Sequence, residues 1–270
     1  MLTEILKLDR TLRTSYKKTS QEDDYCDDLF PLINQLLSSY SEFYSLSSDE
    51  VISRNHKFSS EYLEDVKRFS STFKYPCKLR KLKKITHNQK ISYDLALIIS
   101  VTLTTHRNKI MSSLLKYLDK ISGRILVIGA GPGIELKLLK AYGKDLDVVV
   151  YDINISNFIY NEFGSFTIVN EEFIGHPDEL YDHIIAIELL EHVSRPYSLL
   201  QIFFNSLKKS GKLFTTTASN LPQFDHLYNF ANDDFMDNVN FNCIYHEEIP
   251  HMYQSFNIGA RNNLYVLEKV

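Results

Sequence analysis

The chain has 270 residues, 44% of them hydrophobic and 24% charged, enough for one or two domains with a real apolar core and too apolar for wholesale disorder. A formal charge of −4 gives the molecule as a whole no electrostatic reason to seek nucleic acid or an anionic membrane. Three scattered cysteines, Cys26, Cys77 and Cys243, make neither a disulfide framework nor a zinc ligand set and suit a reducing compartment.

The N-terminal MLTEILKLDR mixes charges among its apolar residues and lacks the uninterrupted core of a signal peptide. The longest apolar stretch, 95–103, is broken by Ser100 and Thr102 and falls far short of the ~20 residues that span a bilayer. A soluble, cytoplasmic protein with no membrane partner is expected.

Residues 1–115 read as helices. Leu29, Ile33, Leu36, Leu37, Tyr40 and Tyr44 share one face at helical spacing, as do Tyr62, Val66, Phe69 and Phe73. A longer helical pattern over 95–118 predicts one helix or two closely joined ones. In the basic run 78–84, Leu79 and Leu82 sit three apart among five cations, which reads as an amphipathic helix with a solvated face.

At Ser122-Gly123 the character changes. Apolar or β-branched runs at 124–128, 147–151, 166–169, 182–187 and 212–217 predict strands buried on both faces, as in a parallel sheet. Helices are expected between them, notably over 135–142 and 197–209. Runs at 240–245 and 264–268 can close the sheet as an antiparallel pair. The expected architecture is α/β: a helical region over 1–118, then a doubly wound, mostly parallel sheet with antiparallel C-terminal strands over 119–270.

The strongest local signal is ILVIGAGPGIE at 125–135, a hydrophobic strand running into Gly129, Gly131 and Gly133 with a helix directly after. Glycine serves where the chain turns sharply and where backbone must approach a ligand with no Cβ in the way. The next strand ends at Tyr151-Asp152, about 20 residues on, the usual distance for a carboxylate that accepts from ribose hydroxyls. The pair describes an adenosine-containing ligand across the carboxyl ends of two neighbouring strands. A dinucleotide fingerprint needs its third glycine one residue later, where this chain has Ile134.

LVIGAGPG, VVVYDIN, IVNEEF, LYDHIIAIELLEHVSRPYSLL and LKKSGKLFTTTAS follow one another in an order that resembles the class I S-adenosylmethionine-dependent methyltransferases, in particular the group containing ubiquinone-biosynthesis and natural-product enzymes. The resemblance implies a Rossmann-like domain with S-adenosylmethionine as cofactor. It also implies a cofactor-binding set of Gly129, Gly131, Gly133, Asp152, Ile153, Asn170, Glu171 and Glu188. Two positions depart from the family pattern. Val127 stands where an acidic residue is common, so one polar contact to the methionine end must come from elsewhere. Asn170 replaces the usual aspartate near the adenine amino group, and its amide oxygen can still accept, without charge.

The sulfonium methyl is already activated, so the protein has chiefly to hold an acceptor in line, and a base helps only if that acceptor must lose a proton. His192, after the fourth strand, and His226, after the fifth, are the candidates for a base or orienting group. His246 and His251 read as surface or packing residues. Glu188, Glu191, His192 and His226 together also resemble the metal site of Hen-type small-RNA 2′-O-methyltransferases, but the expectation is catalysis without metal. In the enzymes this chain resembles, helices before the glycine strand often cover the active site, and the resemblance implies that Tyr93 and Arg107 belong to such a lid. The expected substrate is a small-molecule or peptide-like metabolite methylated on N, O or C. Displacement of the cofactor's aminocarboxypropyl arm, the metal-dependent RNA reaction and a non-catalytic binding module remain open as alternatives.

Overall fold

A computed structural model describes residues 1–75, 86–143, 145–176, 179–223, 225–232, 234–251 and 258–270. The basic run 78–84 and Cys77 lie outside the described residues. Among the described residues six helices come first: α1 (Leu2–Leu8), α2 (Arg10–Thr19), α3 (Leu29–Phe43), α4 (Ser48–Thr72), α5 (His87–Leu103) and α6 (Thr105–Leu118). Capping boxes start α4 and α5: Ser47 with Glu50 and Thr86 with Gln89 each exchange side-chain and backbone bonds, satisfying orphan N–H groups. The pattern over 95–118 is two helices. Thr104 adopts an extended conformation between them, and both its backbone N–H and its hydroxyl donate to the Ser100 carbonyl, closing the end of α5.

Seven strands follow with three helices between them: β1 (Arg124–Ile128), α7 (Ile134–Tyr142), β2 (Asp147–Tyr151), α8 (Asn157–Phe163), β3 (Thr167–Val169), β4 (Tyr181–Ala186), α9 (Pro196–Ser206), β5 (Leu207–Ser219), β6 (Asn242–Pro250) and β7 (Arg261–Glu268). They form one sheet in the order β3-β2-β1-β4-β5-β7-β6. β1 to β5 pair in parallel, and β7 and β6 run antiparallel. The strand order reverses between β1 and β4, the place where open α/β sheets bind ligands beyond their carboxyl ends.

Alternate residues of the central strands feed two cores. Ile125, Val127, Val148 and Val150 join a cluster that runs without a break through α3, α5, α6, α7 and α8 out to Leu2 and Ile5. Leu126, Ile128, Val149 and Tyr151 face a second cluster with Leu200 and Phe203 of α9. A third, small cluster joins Val66 and Phe69 at the end of α4 to Ala218, Leu221, Ile258 and Ala260, with Tyr75 against it. Each fully buried Leu or Ile contributes about 1.5–3 kcal/mol.

The helix expected over 197–209 ends at Ser206, and Lys208 and Lys209 open β5 instead. Lys208 reaches Asp182 at 2.8 Å, and Asp182 also accepts the Arg124 N–H at 2.8 Å. That carboxylate ties three strands at their amino ends, far from any ligand crevice. Gly123 is required beside it, since a Cβ there would stand 2.3 Å from the Asp182 carboxylate.

Candidate active site

The glycine loop leaves β1 with Gly129, Gly131 and Gly133 at φ of +74°, +50° and +87°, a region L-residues with side chains rarely adopt. Their surroundings differ. A Cβ on Gly133 would lie 2.5 Å from the Phe163 ring and 2.9 Å from Ile159, both fully buried on α8. A Cβ on Gly131 would meet nothing within 4 Å. Gly133 is therefore glycine for packing, and Gly131 borders open space. Gly133→Ala should destabilise the fold by about 1–3 kcal/mol through overpacking alone, before the cost of its left-handed φ. Thermal unfolding checks this, and an unchanged melting temperature would contradict the packing described.

Asp152 follows β2 directly. One carboxylate oxygen accepts the Gly131 N–H at 3.0 Å and the other the Asn154 N–H at 2.8 Å, which fixes the carboxylate against the loop. Asn170, after β3, spends its side-chain oxygen on the Ile155 N–H at 3.0 Å, so it also shapes the turn around 152–155. Ile153 is 73% exposed there, a large apolar side chain held at a ligand-facing turn. Glu171 is exposed and makes no side-chain bond among the described residues. The open Gly131 position, the anchored Asp152 and the bare Ile153 fit an adenosine: ribose on the carboxylate, an apolar face for the base.

Glu188 lies beyond β4 with φ +48°, its N–H given to the Thr216 hydroxyl at 2.7 Å. Its carboxylate pairs with Arg107 of α6 and accepts from Asn262. Arg107 thus crosses from the helical region into the crevice. Tyr93 of α5 does likewise, accepting a hydrogen bond from the Gln223 amide at 3.1 Å. Burial pushes the Tyr93 phenol up strongly, so it stays protonated. The Tyr75 hydroxyl accepts the Leu221 N–H at 3.2 Å.

His192 and His226 come together because the Glu191 carbonyl accepts two backbone N–H groups, from Leu227 at 2.7 Å and Tyr228 at 3.0 Å. This docks the segment after β5 onto the short turn after β4. The two imidazoles meet edge to face with centroids 4.8 Å apart. The His192 Nδ1 faces the Asp225 carbonyl at 3.1 Å; a carbonyl only accepts, so this nitrogen carries the proton. Burial alone would lower the His192 pKa, but the Asp225 and Glu191 carboxylates more than offset it and the net shift is upward. Burial drives His226 well below the usual histidine value, and the neighbouring His192 adds to this. His226 is therefore neutral at pH 7, and its buried Nδ1 has no hydrogen-bond partner among the described residues. Burial raises Glu191 to about 7, opposed by His192 and reinforced by Glu188.

Among the described residues, Glu191, His192 and His226 have ligand atoms that all lie within 4.8 Å of one another. Glu188, the fourth member of the set suggested by sequence, is engaged with Arg107 instead. His246 is exposed and stacks on Tyr265 at 4.6 Å, while His251 stacks on His106 at 3.5 Å and meets Asn262. Sequence reasoning missed Asp225 and Gln223. Only Asp225, next to His226, had a local signal.

Compared with curated protein sequences, the chain has no match. Among solved structures it is similar to the [4+2]-cyclase SpnF, at 12% identity and TM-score 0.50 over 60% of this chain and 81% of that one. It is also similar to the N-methyltransferase NodS from Bradyrhizobium japonicum WM9 in complex with S-adenosyl-L-homocysteine (12%, TM-score 0.49, 63% and 90%). A third is the Burkholderia thailandensis 1,6-didemethyltoxoflavin-N1-methyltransferase (15%, TM-score 0.47, 58% and 76%). At such identities the likeness concerns the fold. The family described as "Methyltransferase domain" matches residues 103–263, more than half of the chain, from the end of α5 to the first residues of β7. The chain therefore belongs to this family of class I methyltransferases, and S-adenosylmethionine is its cofactor.

Proposed function

We propose that this protein transfers the methyl group of S-adenosylmethionine to a small-molecule or peptide-like metabolite, with His226 as the base and His192 as its orienting partner. The observation that carries this reading is the neutral, buried His226, its Nδ1 unpartnered among the described residues, set beside His192 at the carboxyl end of β4 and β5. Gly129, Gly131, Gly133, Asp152, Ile153 and Asn170 hold the cofactor in this proposal, with Glu171 and Glu188 at its margins. The cofactor supplies an electrophilic methyl on a sulfonium. In the transfer this would allow, His226 Nδ1 would take the proton of the acceptor and His192 would keep His226 in place.

Residues 1–118 serve as the acceptor-binding lid and 119–270 as the cofactor domain. Tyr75, Tyr93 and Arg107 support this, since each reaches from the helical region to the residues around the crevice. The −4 charge supports a metabolite over a polyanion. Among the described residues no helix is long and apolar enough to cross a membrane.

The decisive experiment incubates the protein with labelled cofactor and a metabolite extract and identifies the spent cofactor by mass spectrometry. S-adenosylhomocysteine with labelled product supports methyl transfer. Methylthioadenosine would mean that the aminocarboxypropyl arm leaves instead, and no turnover would favour a binding module.

The clustering of Glu191, His192 and His226 favours one second reading, a divalent metal that orients acceptor hydroxyls. Our reading expects the rate to survive EDTA unchanged. Loss of activity on chelation, restored by a divalent ion, would replace it with the metal reading.

A further inference from the structure

A concavity of about 410 Å³ lies between α6 and the strands β5, β7 and β6. Helix α6 gives it one wall: Lys109, Ser112, Ser113 and Lys116 follow the i, i+3, i+4, i+7 spacing of a single helical face, and Lys120 comes just past the helix end. The sheet gives it a floor. Phe214, Val266 and Tyr245 stand in register across β5, β7 and β6, and the first two are buried. Lys212, two residues before Phe214, adds a cation from β5. It is in register with His183 near the start of β4, so the cavity lies away from the crevice beyond the carboxyl ends of these strands.

The charges around this cavity do not cancel. Lys109 holds both carboxylates of its wall, Asp24 and Glu247, at 2.9 Å each. Lys109, and at longer range Lys116, keeps the Asp24 carboxyl below its usual value. Among the described residues Lys116, Lys120 and Lys212 form no ion pair, and Glu268, opposite Lys212 in the register of β7, forms none with it. A chain of net charge −4 thus gathers three unpaired ammoniums around one hollow, where each repels the others. Ser112 is an independent sign of a ligand. It is 5% exposed, lines the same space, and its hydroxyl has no hydrogen-bond partner among the described residues. A buried hydroxyl left without a partner is unfavourable, and a ligand oxygen would satisfy it. Three ammoniums call for more than one negative charge in a compact head, and a phosphate monoester carries nearly two at neutral pH. The apolar floor beneath them suits a ring. We propose that this cavity binds a small phosphate ester with a ring-sized apolar body, its phosphate among Lys116, Lys120, Lys212 and Ser112 and its body on Phe214 and Val266. The site is separate from methyl transfer, and no residue of that reaction takes part in it.

The test is calorimetry on the full chain, with saturating S-adenosylhomocysteine filling the crevice and three probes: phenyl phosphate, inorganic phosphate and phenol. Phenyl phosphate carries both the dianion and the ring, and each of the others only one of them, so it should bind more tightly than either. Lys116 and Lys120 are exposed, and the double variant Lys116→Ala/Lys120→Ala should weaken phenyl phosphate by about tenfold, the loss of two solvent-facing charge contacts. Lys212→Met keeps the apolar stem and should weaken it severalfold. The charge-matched control Lys57→Ala/Lys67→Ala, at two exposed positions of α4, should leave it unchanged. Affinity for S-adenosylhomocysteine and the melting temperature, the same in all variants, report an intact fold. Phenyl phosphate bound no better than inorganic phosphate, equal losses in the two double variants, or no heat from any probe overturns the proposal.

Discussion

Asp152→Ala is expected to weaken S-adenosylmethionine and S-adenosylhomocysteine by about a hundredfold or more, with the chain still folded. A carboxylate that accepts from two ribose hydroxyls makes two charged bonds of about 1.5–3 kcal/mol each, and every 1.4 kcal/mol is about tenfold in affinity. The same carboxylate orders the loop through Gly131 and Asn154, so its removal also frees the backbone that must meet the ligand. Asp152→Asn keeps one acceptor oxygen and should fall between the two. Calorimetry measures both, with circular dichroism as the folding control. Wild-type affinity in Asp152→Ala would mean that the ribose lies elsewhere.

His226→Ala should lower kcat by about 10²–10⁴, the usual share of a general base, and leave cofactor affinity in place. The electrostatics separate the two histidines. His226 is shifted down, so it stays deprotonated, and competent as a base, as pH falls through 7 and past the ordinary histidine value. Its acid limb in kcat therefore lies below 6.5. His192 is shifted up and holds a proton over more of the neutral range, which suits orientation rather than proton removal. An unchanged kcat in both His226→Ala and His192→Ala would leave positioning as the whole mechanism, for an acceptor that needs no deprotonation.

The sheet was legible because its signal is local. Four or five apolar residues in a row at 124–128 and 147–151 coincide with β1 and β2 to the residue. The start of β5 was not, since Lys208, Lys209 and Ser210 have no strand pattern and are held by Asp182 and by pairing rather than by burial. The same division runs through the site. The glycine loop and Asp152 show themselves through spacing, because a single turn and the next strand build them. The Arg107–Glu188, Tyr93–Gln223 and Tyr75–Leu221 contacts join residues 81, 130 and 146 positions apart, and no periodicity in one sequence announces such a meeting.

The three apolar clusters differ greatly in size, and local opening costs least where the fewest buried contacts must be given up. The glycine loop side of the crevice is backed by the largest cluster, which binds the sheet to α3, α5 and α6. The opposite wall, where Tyr75 and Leu221 stand near His226, rests on a cluster of six buried residues, of which Val66 and Phe69 come from the end of α4. Amide exchange would be slow behind the first wall and fast behind the second. A molecule so built would be stiff behind the loop that holds its cofactor and yielding on the side that Tyr75 and Leu221 line.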